Sequence, residues 1–154
     1  ASTGAEIEIV DCDPALADTA AFCAAYGYAA EDSANTIVVV GKADPPRYAA
    51  CVVLADSRLD VNRVVRARLG TRKASFASAD DTLALTGQMI GGVTVLDLPD
   101  TLAIWVDARV MTRERIIVGG GSRSCKVLLD PRALLGLTGV EVVEGLAVPV
   151  DLPR

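Results

Sequence analysis

The chain has 154 residues, of which 51% are hydrophobic and 23% are charged, and this balance predicts one folded domain over residues 1–154 rather than a disordered chain. A formal net charge of −5 argues against broad, non-specific binding to nucleic acids. No apolar run reaches the roughly 18 residues of a membrane span, and no basic-then-apolar leader pattern opens the sequence. We therefore expect a cytoplasmic domain with no membrane partner.

Few side chains in this sequence are suited to catalysis. It contains no histidine, which excludes catalytic pairs of serine or cysteine with histidine. Its four cysteines are scattered and form no CxxC pair, so we expect buried free thiols rather than disulfides or a zinc site. Chemistry must come from backbone groups, carboxylates, lysines, hydroxyls or the substrate itself, and we expect neither a metal nor a cofactor.

The first half of the sequence predicts a series of strands and helices. They are a strand over 6–10, a helix over 15–26, strands over 36–40 and 48–54, a helix over 61–69 and a strand over 73–77. Asp13 followed by Pro14 is typical of a helix start, and Gly27 of a helix end. Asp60 and Gly70 predict the two ends of the second helix. The short, proline-rich turn 41–47 joins the strands predicted over 36–40 and 48–54, and so short a connection predicts that they pair antiparallel.

The second half predicts more strands, short helical segments and glycine turns. They are a helix over 78–85, a strand over 102–106, a helical turn over 107–111, strands over 115–118 and 125–129, a helix over 131–137 and a strand over 140–143. Ser78 with Asp81 three residues later resembles a capping box. The glycine turn 119–122 predicts a hairpin, and we expect the tail from Ala147 on the surface. The mixed order predicts an α+β fold whose mainly antiparallel sheet curls into a barrel-like core with peripheral helices.

A glycine-rich loop lies near the middle of the chain, between two hydrophobic runs. Residues 86–94 read Thr-Gly-Gln-Met-Ile-Gly-Gly-Val-Thr. Glycines let the backbone bend sharply and leave N–H groups free to point in one direction. Such N–H groups can bind a carboxylate, a phosphate or the oxyanion that develops during acyl transfer. The alternative is an ordinary turn between two elements.

Positive charge is concentrated in two segments of the sequence. The first contains Arg63, Arg66, Arg68, Arg72 and Lys73, and the second contains Arg109, Arg113 and Arg115. Each segment is either a solvated face or a patch that holds phosphate groups.

Four segments of the chain, taken in order, resemble a known protein family. They are Asn35-Thr36-Ile37-Val38-Val39-Val40, Arg58-Leu59-Asp60-Val61 before the basic helix, the segment 76–93 with its Thr-Gly…Gly-Gly loop, and the segment 116–131 with its glycine turn and Leu-Leu-Asp-Pro. The ordered set resembles the YbaK/EbsC family of aminoacyl-tRNA editing domains, which includes the editing insertion of bacterial prolyl-tRNA synthetases. The resemblance extends over about residues 17–145.

Members of this family hydrolyse the ester that joins a wrong amino acid to the 3′ end of a tRNA, and the resemblance implies the same activity here. The neighbouring ribose 2′-hydroxyl can help to activate water, so the protein mainly orients the ester and stabilises the oxyanion. The implied oxyanion contacts are backbone N–H groups at Gly91 and Gly92. The implied substrate-binding residues are Thr86, Gly87, Gln88, Ile90 and Val93. The tRNA itself would bind Arg63, Arg66, Arg72 and Lys73, and a synthetase is an implied partner.

The chain departs from the family pattern in three ways near the implied site. Members carry a lysine where this chain has Asn35, and often an Asp or His where it has Lys126. They carry an aromatic residue where it has Gln88, and a Pro and a Gly where it has Val95 and Asp97. An asparagine cannot neutralise a phosphate. We therefore hypothesise that the catalytic cation has moved from position 35 to Lys126 on a neighbouring strand. The alternative is that Lys126 points to solvent and the site lacks its cation.

Three functions are compatible with these residues. The first is deacylation of a mischarged tRNA in trans. The second is binding of aminoacyl-tRNA or a small acyl ligand without catalysis, which Asn35 favours and the Gly91-Gly92 loop does not. The third, a small-molecule esterase, is the weakest because the sequence offers no visible pair of a nucleophile and a base.

Overall fold

The computed structural model describes residues 7–11, 13, 15, 25–28, 30–88, 94–95, 98–99, 101–120, 125–137 and 139–149. The strands in this part of the chain are β1 (Ile7–Asp11), β2 (Ala34–Gly41), β3 (Arg47–Leu54), β4 (Ser57–Leu59), β5 (Ala74–Phe76), β6 (Ala103–Asp107), β7 (Ile116–Gly119), β8 (Cys125–Leu129), β9 (Val140–Val143) and β10 (Ala147–Pro149). The helical segments are the 3-10 turns Ala30–Asp32, Ala108–Thr112 and Pro131–Gly136, the π turn Val61–Val65, and the α-helices Arg66–Leu69 and Ala79–Thr86.

The strands form three sheets in the described residues. The largest has the order β5-β2-β3-β6-β9, the second has the order β1-β8-β7, and the third pairs β10 with β4. β2 and β3 form the antiparallel pair that the sequence predicts, from Ala34 opposite Leu54 to Gly41 opposite Arg47. The β3–β6 and β6–β9 pairs are parallel, since each is joined by a long connection that contains helical segments. The α+β class is confirmed, with a mixed sheet at its centre.

A single bridge links the two larger sheets in the described chain. Ser33, just before β2, pairs in parallel with Ile117 of β7, so the second sheet lies beside the beginning of β2. β5 pairs along the same edge of β2 near its end, from Val39 to Gly41. The described strands do not close into a barrel, and barrel-like closure stays a prediction.

Two apolar cores lie on opposite faces of the largest sheet. The first is packed between this sheet and the second sheet and contains Val52, Leu54, Ile104, Val106, Ile116, Val118, Val127 and Leu129. The second lies beneath the basic helical segment and contains Val39, Cys51, Val53, Val65, Leu69 and Trp105. Both faces of β3 are therefore buried, which explains why its sequence is a continuous apolar run.

The ends of the helices follow the predicted signals with one exception. The Ser78 hydroxyl accepts a hydrogen bond from the Asp81 N–H at 3.1 Å, and Gly70 ends its helix with a φ of 68°. Asp60 does not cap its helix, because its carboxylate accepts from Arg63 Nε at 3.1 Å instead. Its backbone, with a φ of −84° and a ψ of 77°, also lies outside the extended conformation that is usual for a capping residue, so the capping prediction is wrong. Within the described residues, no helix has the length and apolar composition to cross a membrane.

Residues 147–149, at the start of the predicted surface tail, form a strand whose first residue is buried. Ala147–Pro149 forms β10, which pairs antiparallel with β4, and Leu146 just before it is buried. The apolar residues at this point supply a short strand that covers part of the second core. β4 and β10 have three residues each, which is too few for a period-two pattern to be recognised in the sequence.

The helix predicted over 15–26 lies mostly outside the described residues. The Asp13 carboxylate accepts a hydrogen bond from the Ala15 N–H at 2.9 Å, as an aspartate at a helix start does. Residues 25 and 26 are helical, and Gly27 has a φ of 78°, as expected of a glycine that ends a helix. The two ends of this element agree with the sequence, and its middle stays a prediction.

Candidate active site

Asn35 lies on β2, half-buried, opposite Val53 of β3. The bridge between Ser33 and Ile117 determines which residues of β7 lie beside it. Counted two residues further along both chains, this register predicts that Asn35 lies beside Gly119, the last residue of β7. Side chains two residues apart on a strand share a face, so Asn35 points to the same side as Ser33.

Lys126 lies on the same face, two strands away from Asn35. It pairs with Gly119 of β7 on one side and with Val10 of β1 on the other. β7 thus lies between β2 and β8, and we expect the side chains of Asn35 and Lys126 to be able to contact one ligand across it. Lys126 is only 8% exposed, which excludes the alternative in which it points to solvent. Its role as the catalytic cation stays a prediction.

Gln88 and Thr94 hold the two ends of the glycine-rich loop together. Gln88 is buried, and its amide oxygen accepts a hydrogen bond from the Thr94 N–H at 2.7 Å. Its amide nitrogen donates to the Thr94 carbonyl at 3.3 Å. One side chain thus bonds both backbone groups of a residue six positions away. We refer to Gln88 and Thr94 as the loop clamp.

Thr86 and Gly87 direct the chain into the loop clamp. The Thr86 hydroxyl donates to the Thr82 carbonyl at 2.6 Å and accepts from the Gln88 N–H at 3.1 Å. Gly87 has a φ of 71°, a left-handed conformation that costs residues other than glycine about 1–2 kcal/mol. Thr86 and Gln88 therefore have hydrogen-bond partners within the chain, and their contact with substrate stays a prediction. The remaining predicted residues of this loop lie outside the described residues: Ile90, Gly91, Gly92 and Val93.

The first basic segment keeps part of its positive charge outside ion pairs. Arg63 pairs with Asp60 at 3.1 Å. Arg68 pairs with Glu141, and its guanidinium lies 4.9 Å from the centroid of the Trp105 ring. The ion pairs of the described residues leave out three exposed cations of this segment, which are Arg66, Arg72 and Lys73. These three side chains are suited to binding phosphate groups.

The second basic segment is neutralised by carboxylates. Arg109 makes two hydrogen bonds to Asp56, at 3.1 and 3.3 Å. Arg113 pairs with Asp32 at 2.9 Å, and Arg115 lies 3.9 Å from a third carboxylate. These pairs connect elements that are distant in sequence. Because its charge is compensated within the chain, this segment is less suited than the first to binding phosphate, and its interpretation as a phosphate-binding patch stays a prediction.

Two further buried titratable groups lie in the largest sheet, on β3 and at the end of β6. Burial raises the pKa of the Cys51 thiol to about 12, so this free cysteine is an inert core residue. Burial also raises the pKa of the Asp107 carboxyl, while nearby backbone N–H groups and Arg109 lower it in part. No cluster of Cys, Asp and Glu in the described part of the chain has the arrangement of a metal site.

A comparison with known families covers most of the chain. Residues 13–137 match the model of the aminoacyl-tRNA editing domain. The chain belongs to this family. The matched range includes Asn35, the loop clamp and Lys126, and the resemblance noted in the sequence is confirmed.

One curated relative of this editing domain is EbsC of Enterococcus faecalis, named as a candidate Cys-tRNA(Pro)/Cys-tRNA(Cys) deacylase. The two chains are 28% identical over 110 residues, which is 71% of this chain. The chain spans 65% of the length of that relative, or just under two thirds.

Solved structures share the fold of this editing domain. The crystal structure of a hypothetical protein superposes with a TM-score of 0.83 at 24% identity, over 95% of this chain and 94% of the other. The crystal structure of a candidate trans-editing enzyme for prolyl-tRNA synthetase superposes with a TM-score of 0.76 at 22% identity, over 90% of this chain and 85% of the other. At these identities the likeness establishes the fold alone.

Sequence reasoning does not find Thr94, the second member of the loop clamp. A long amide side chain at one end of a glycine loop, with a small polar residue at the other end, is the signal that indicates such a clamp. Nor does the sequence indicate that Asn35 and Lys126 share a face. Their strands are far apart along the chain, and only tertiary pairing brings them together.

Proposed function

We propose that this editing domain hydrolyses the ester of a mischarged tRNA in trans. The observation that carries the proposal is the family match over residues 13–137, which includes Asn35, the loop clamp and Lys126. The relative named for deacylation of Cys-tRNA supports the same chemistry. The partners in this proposal are the mischarged tRNA and the synthetase that produced it, in the cytoplasm.

In the proposed reaction, water replaces the ribose as the partner of the acyl group. A water oxygen attacks the ester carbon, and the carbonyl oxygen carries negative charge in the tetrahedral intermediate. Backbone N–H groups at Gly91 and Gly92 stabilise this oxyanion. The bond from carbon to the ribose oxygen then breaks, that oxygen takes a proton, and the free amino acid leaves. The neighbouring 2′-hydroxyl positions the water, so the reaction needs no histidine.

The loop clamp serves this mechanism by anchoring the segment that carries the oxyanion contacts. Stabilisation of an oxyanion is effective only when the N–H groups are oriented before the reaction begins. A displacement of about 1 Å can reduce a rate by about 100-fold. Gln88 bonds both backbone groups of Thr94 and thereby restricts such displacement.

Lys126 supplies positive charge to the same face in this proposal. Lys126 is buried, and a positive charge in a buried site attracts an oxyanion or a terminal phosphate of the substrate more strongly than a charge in water does. Asn35 lies across β7 from it and can hydrogen-bond the ester or the ribose. This division of roles replaces the single lysine that the family carries at position 35.

Selection of the amino acid belongs to an apolar pocket beside the loop, with Ile90 and Val93 as its walls. One methylene group changes binding in such a pocket by about 1–3 kcal/mol, so small side chains are the natural targets. Barrel-like closure of the two larger sheets, which we retain as part of the proposal, would exclude water from this pocket.

Deacylation of a panel of mischarged tRNAs tests the proposal. We expect turnover by the wild type and a loss of at least about 100-fold in kcat for Lys126→Ala, because the compensating charge disappears. Arg132→Ala is the matched control, since Arg132 is an exposed cation that lies outside the strand of Lys126 and is already paired with Asp130. An unchanged rate for Lys126→Ala would contradict the role of Lys126. If neither the wild type nor Asn35→Lys deacylates any tRNA of the panel, the proposal of deacylation is contradicted.

A second candidate function is binding of aminoacyl-tRNA or a small acyl ligand without catalysis. The observation that favours it is Asn35, which stands where the family carries lysine. Asn35→Lys separates the two candidates. Turnover by this variant but not by the wild type would support the binding function, whereas turnover by both supports the deacylase.

A further inference from the structure

A groove of about 690 Å³ lies between three elements near the basic segment. β4 and β10 form one wall with Arg58 and Val148, the start of the π turn forms a second with Asp60 and Asn62, and Phe76 of β5 forms the third. Phe76 is 57% exposed and Val148 is 48% exposed. Together these side chains offer a ligand a small apolar surface that includes one flat aromatic ring.

The charge of the groove is positive once its ion pair is taken into account. Asp60 is paired with Arg63 at 3.1 Å, so its negative charge is compensated. Arg58 is exposed and takes part in none of the ion pairs among the described residues. Lys73 lies three residues before Phe76, a span of about 10 Å in extended chain. The groove therefore suits a ligand that is both flat and anionic.

These groups match the chemistry of an unpaired nucleotide. Nucleobases stack on exposed aromatic rings, and guanidinium groups bind the phosphate backbone beside them. The Asn62 amide can both donate to and accept from the edge of a base. A protein partner fits less well, because two exposed apolar side chains fall far short of the roughly 800 Å² per partner that a stable interface buries.

Phe76 of the groove and Asn35 of the candidate active site lie on the same face of the largest sheet. Phe76 pairs with Val39 of β2, so both side chains point to one side. Asn35 is four residues earlier on β2 and points to that side as well, at a distance of about 13 Å along the strand. A single-stranded end bound at Phe76 therefore has to extend by only about 13 Å, measured along β2, to reach the level of Asn35.

From these observations we propose that the groove binds an unpaired nucleobase at the 3′ end of the tRNA, stacked on Phe76. This proposal rests on the proposed function, because its ligand, the 3′ end of the tRNA, belongs to the substrate of the deacylation reaction. Arg58 binds the adjoining phosphate, and Asn62 contacts the edge of the base. The groove thereby holds the end of the tRNA while the ester lies beside Asn35 and Lys126.

Binding of an RNA hairpin that has a single-stranded CCA end and carries no amino acid tests this site without any need for catalysis. Fluorescence anisotropy gives its Kd, and a blunt hairpin of the same stem is the reference RNA. We expect Phe76→Ala to raise the Kd of the overhang hairpin by about tenfold, Phe76→Tyr to stay within about twofold of wild type, and the blunt hairpin to respond to neither change. Leu135→Ala is the matched control, since Leu135 is 52% exposed on another element.

Equal binding of the overhang hairpin by wild type and Phe76→Ala would overturn the proposal. So would a wild type that binds the blunt and overhang hairpins equally. A dimer that Phe76→Ala dissociates, with RNA binding unchanged, would assign the groove to a second copy of the chain. A Phe76-dependent preference for the overhang, together with silence in the deacylation panel, would support the nucleobase site and reject the catalytic proposal.

Discussion

At the scale of single residues, Gln88 is the side chain whose removal tests the loop clamp. Gln88→Leu leaves the N–H and the carbonyl of Thr94 without these partners, and an unsatisfied buried group costs about 1–3 kcal/mol. We expect the free energy of unfolding to fall by about 2 kcal/mol. We also expect kcat for deacylation to fall by about tenfold or more with KM nearly unchanged, because the oxyanion contacts lose their anchor. Urea unfolding and steady-state deacylation measure the two effects.

Gln88→Glu is the matched variant for the positioning role. Its ionised carboxylate can accept from the Thr94 N–H but repels the Thr94 carbonyl, whereas a protonated carboxyl has the donor and the acceptor of the native amide. The kcat of this variant relative to wild type should therefore rise as the pH falls from about 7 to about 5. A ratio that does not change with pH would show that the clamp does not position the catalytic loop.

Asp107 makes stability depend on pH. It is buried at the end of β6, and neither carboxylate oxygen makes a hydrogen bond of normal geometry. Burial raises the pKa of this carboxyl in the folded state, so its contribution to stability is full at acid pH and is lost as the pH rises above the ordinary Asp value of about 4. Asp107→Asn cannot titrate. The free energy of unfolding of this variant, relative to that of the wild type, should therefore increase as the pH rises from about 4 to about 7. A difference that does not change with pH, measured by urea unfolding, would contradict the assignment.

At the scale of elements, the sequence predicts what is local and misses what depends on partners. β2, β3 and β8 follow from apolar runs, and the hairpin of β7 with β8 follows from the glycine turn between them. The parallel pairing of β3 with β6 has no local signal, because periodicity describes the faces of a strand and not its neighbour. Asp60 has the type and position of a helix cap, but Arg63 competes for its carboxylate.

The helix Ala79–Thr86 provides a test of how an element supports the loop that follows it. The Ser78 hydroxyl caps its first turn, and its last turn leads through Gly87 into the loop clamp. Ser78→Ala should lower the free energy of unfolding by about 1 kcal/mol, and Ser78→Asp should retain most of it because aspartate also accepts from the Asp81 N–H. Thermal or urea unfolding measures both variants. Equal losses for the alanine and aspartate variants would contradict the capping role.

At the scale of the whole molecule, the residues of the candidate site can be predicted from the sequence, whereas their spatial arrangement cannot. Asn35, Gln88 and Lys126 can be identified from motifs, because each lies in a segment that resembles the family. Their arrangement depends on one bridge and two strand registers. The separation of the basic residues into paired and unpaired groups likewise depends on acidic partners from distant elements.

The distribution of charge predicts how tRNA binding responds to salt. The net charge of −5 gives no general affinity for nucleic acid, so binding should depend on a few cations outside ion pairs. Arg72→Gln and Lys73→Gln should each weaken tRNA binding and reduce the slope of log Kd against log salt by about 1. Arg132→Gln is the control, because this exposed arginine is already paired with Asp130. Equal slopes for all variants would exclude a role of the first basic segment in binding phosphate.

The burial of Cys51 gives the molecule a built-in reporter of opening. This thiol lies at the centre of β3, and its pKa of about 12 leaves almost no thiolate at neutral pH. An alkylating reagent can therefore modify Cys51 only in molecules whose central sheet has come apart. The rate of that modification, followed by mass spectrometry, measures how often the sheet opens in the native protein. Binding of a tRNA to the folded state should slow this modification by a factor of about 1 + [tRNA]/Kd.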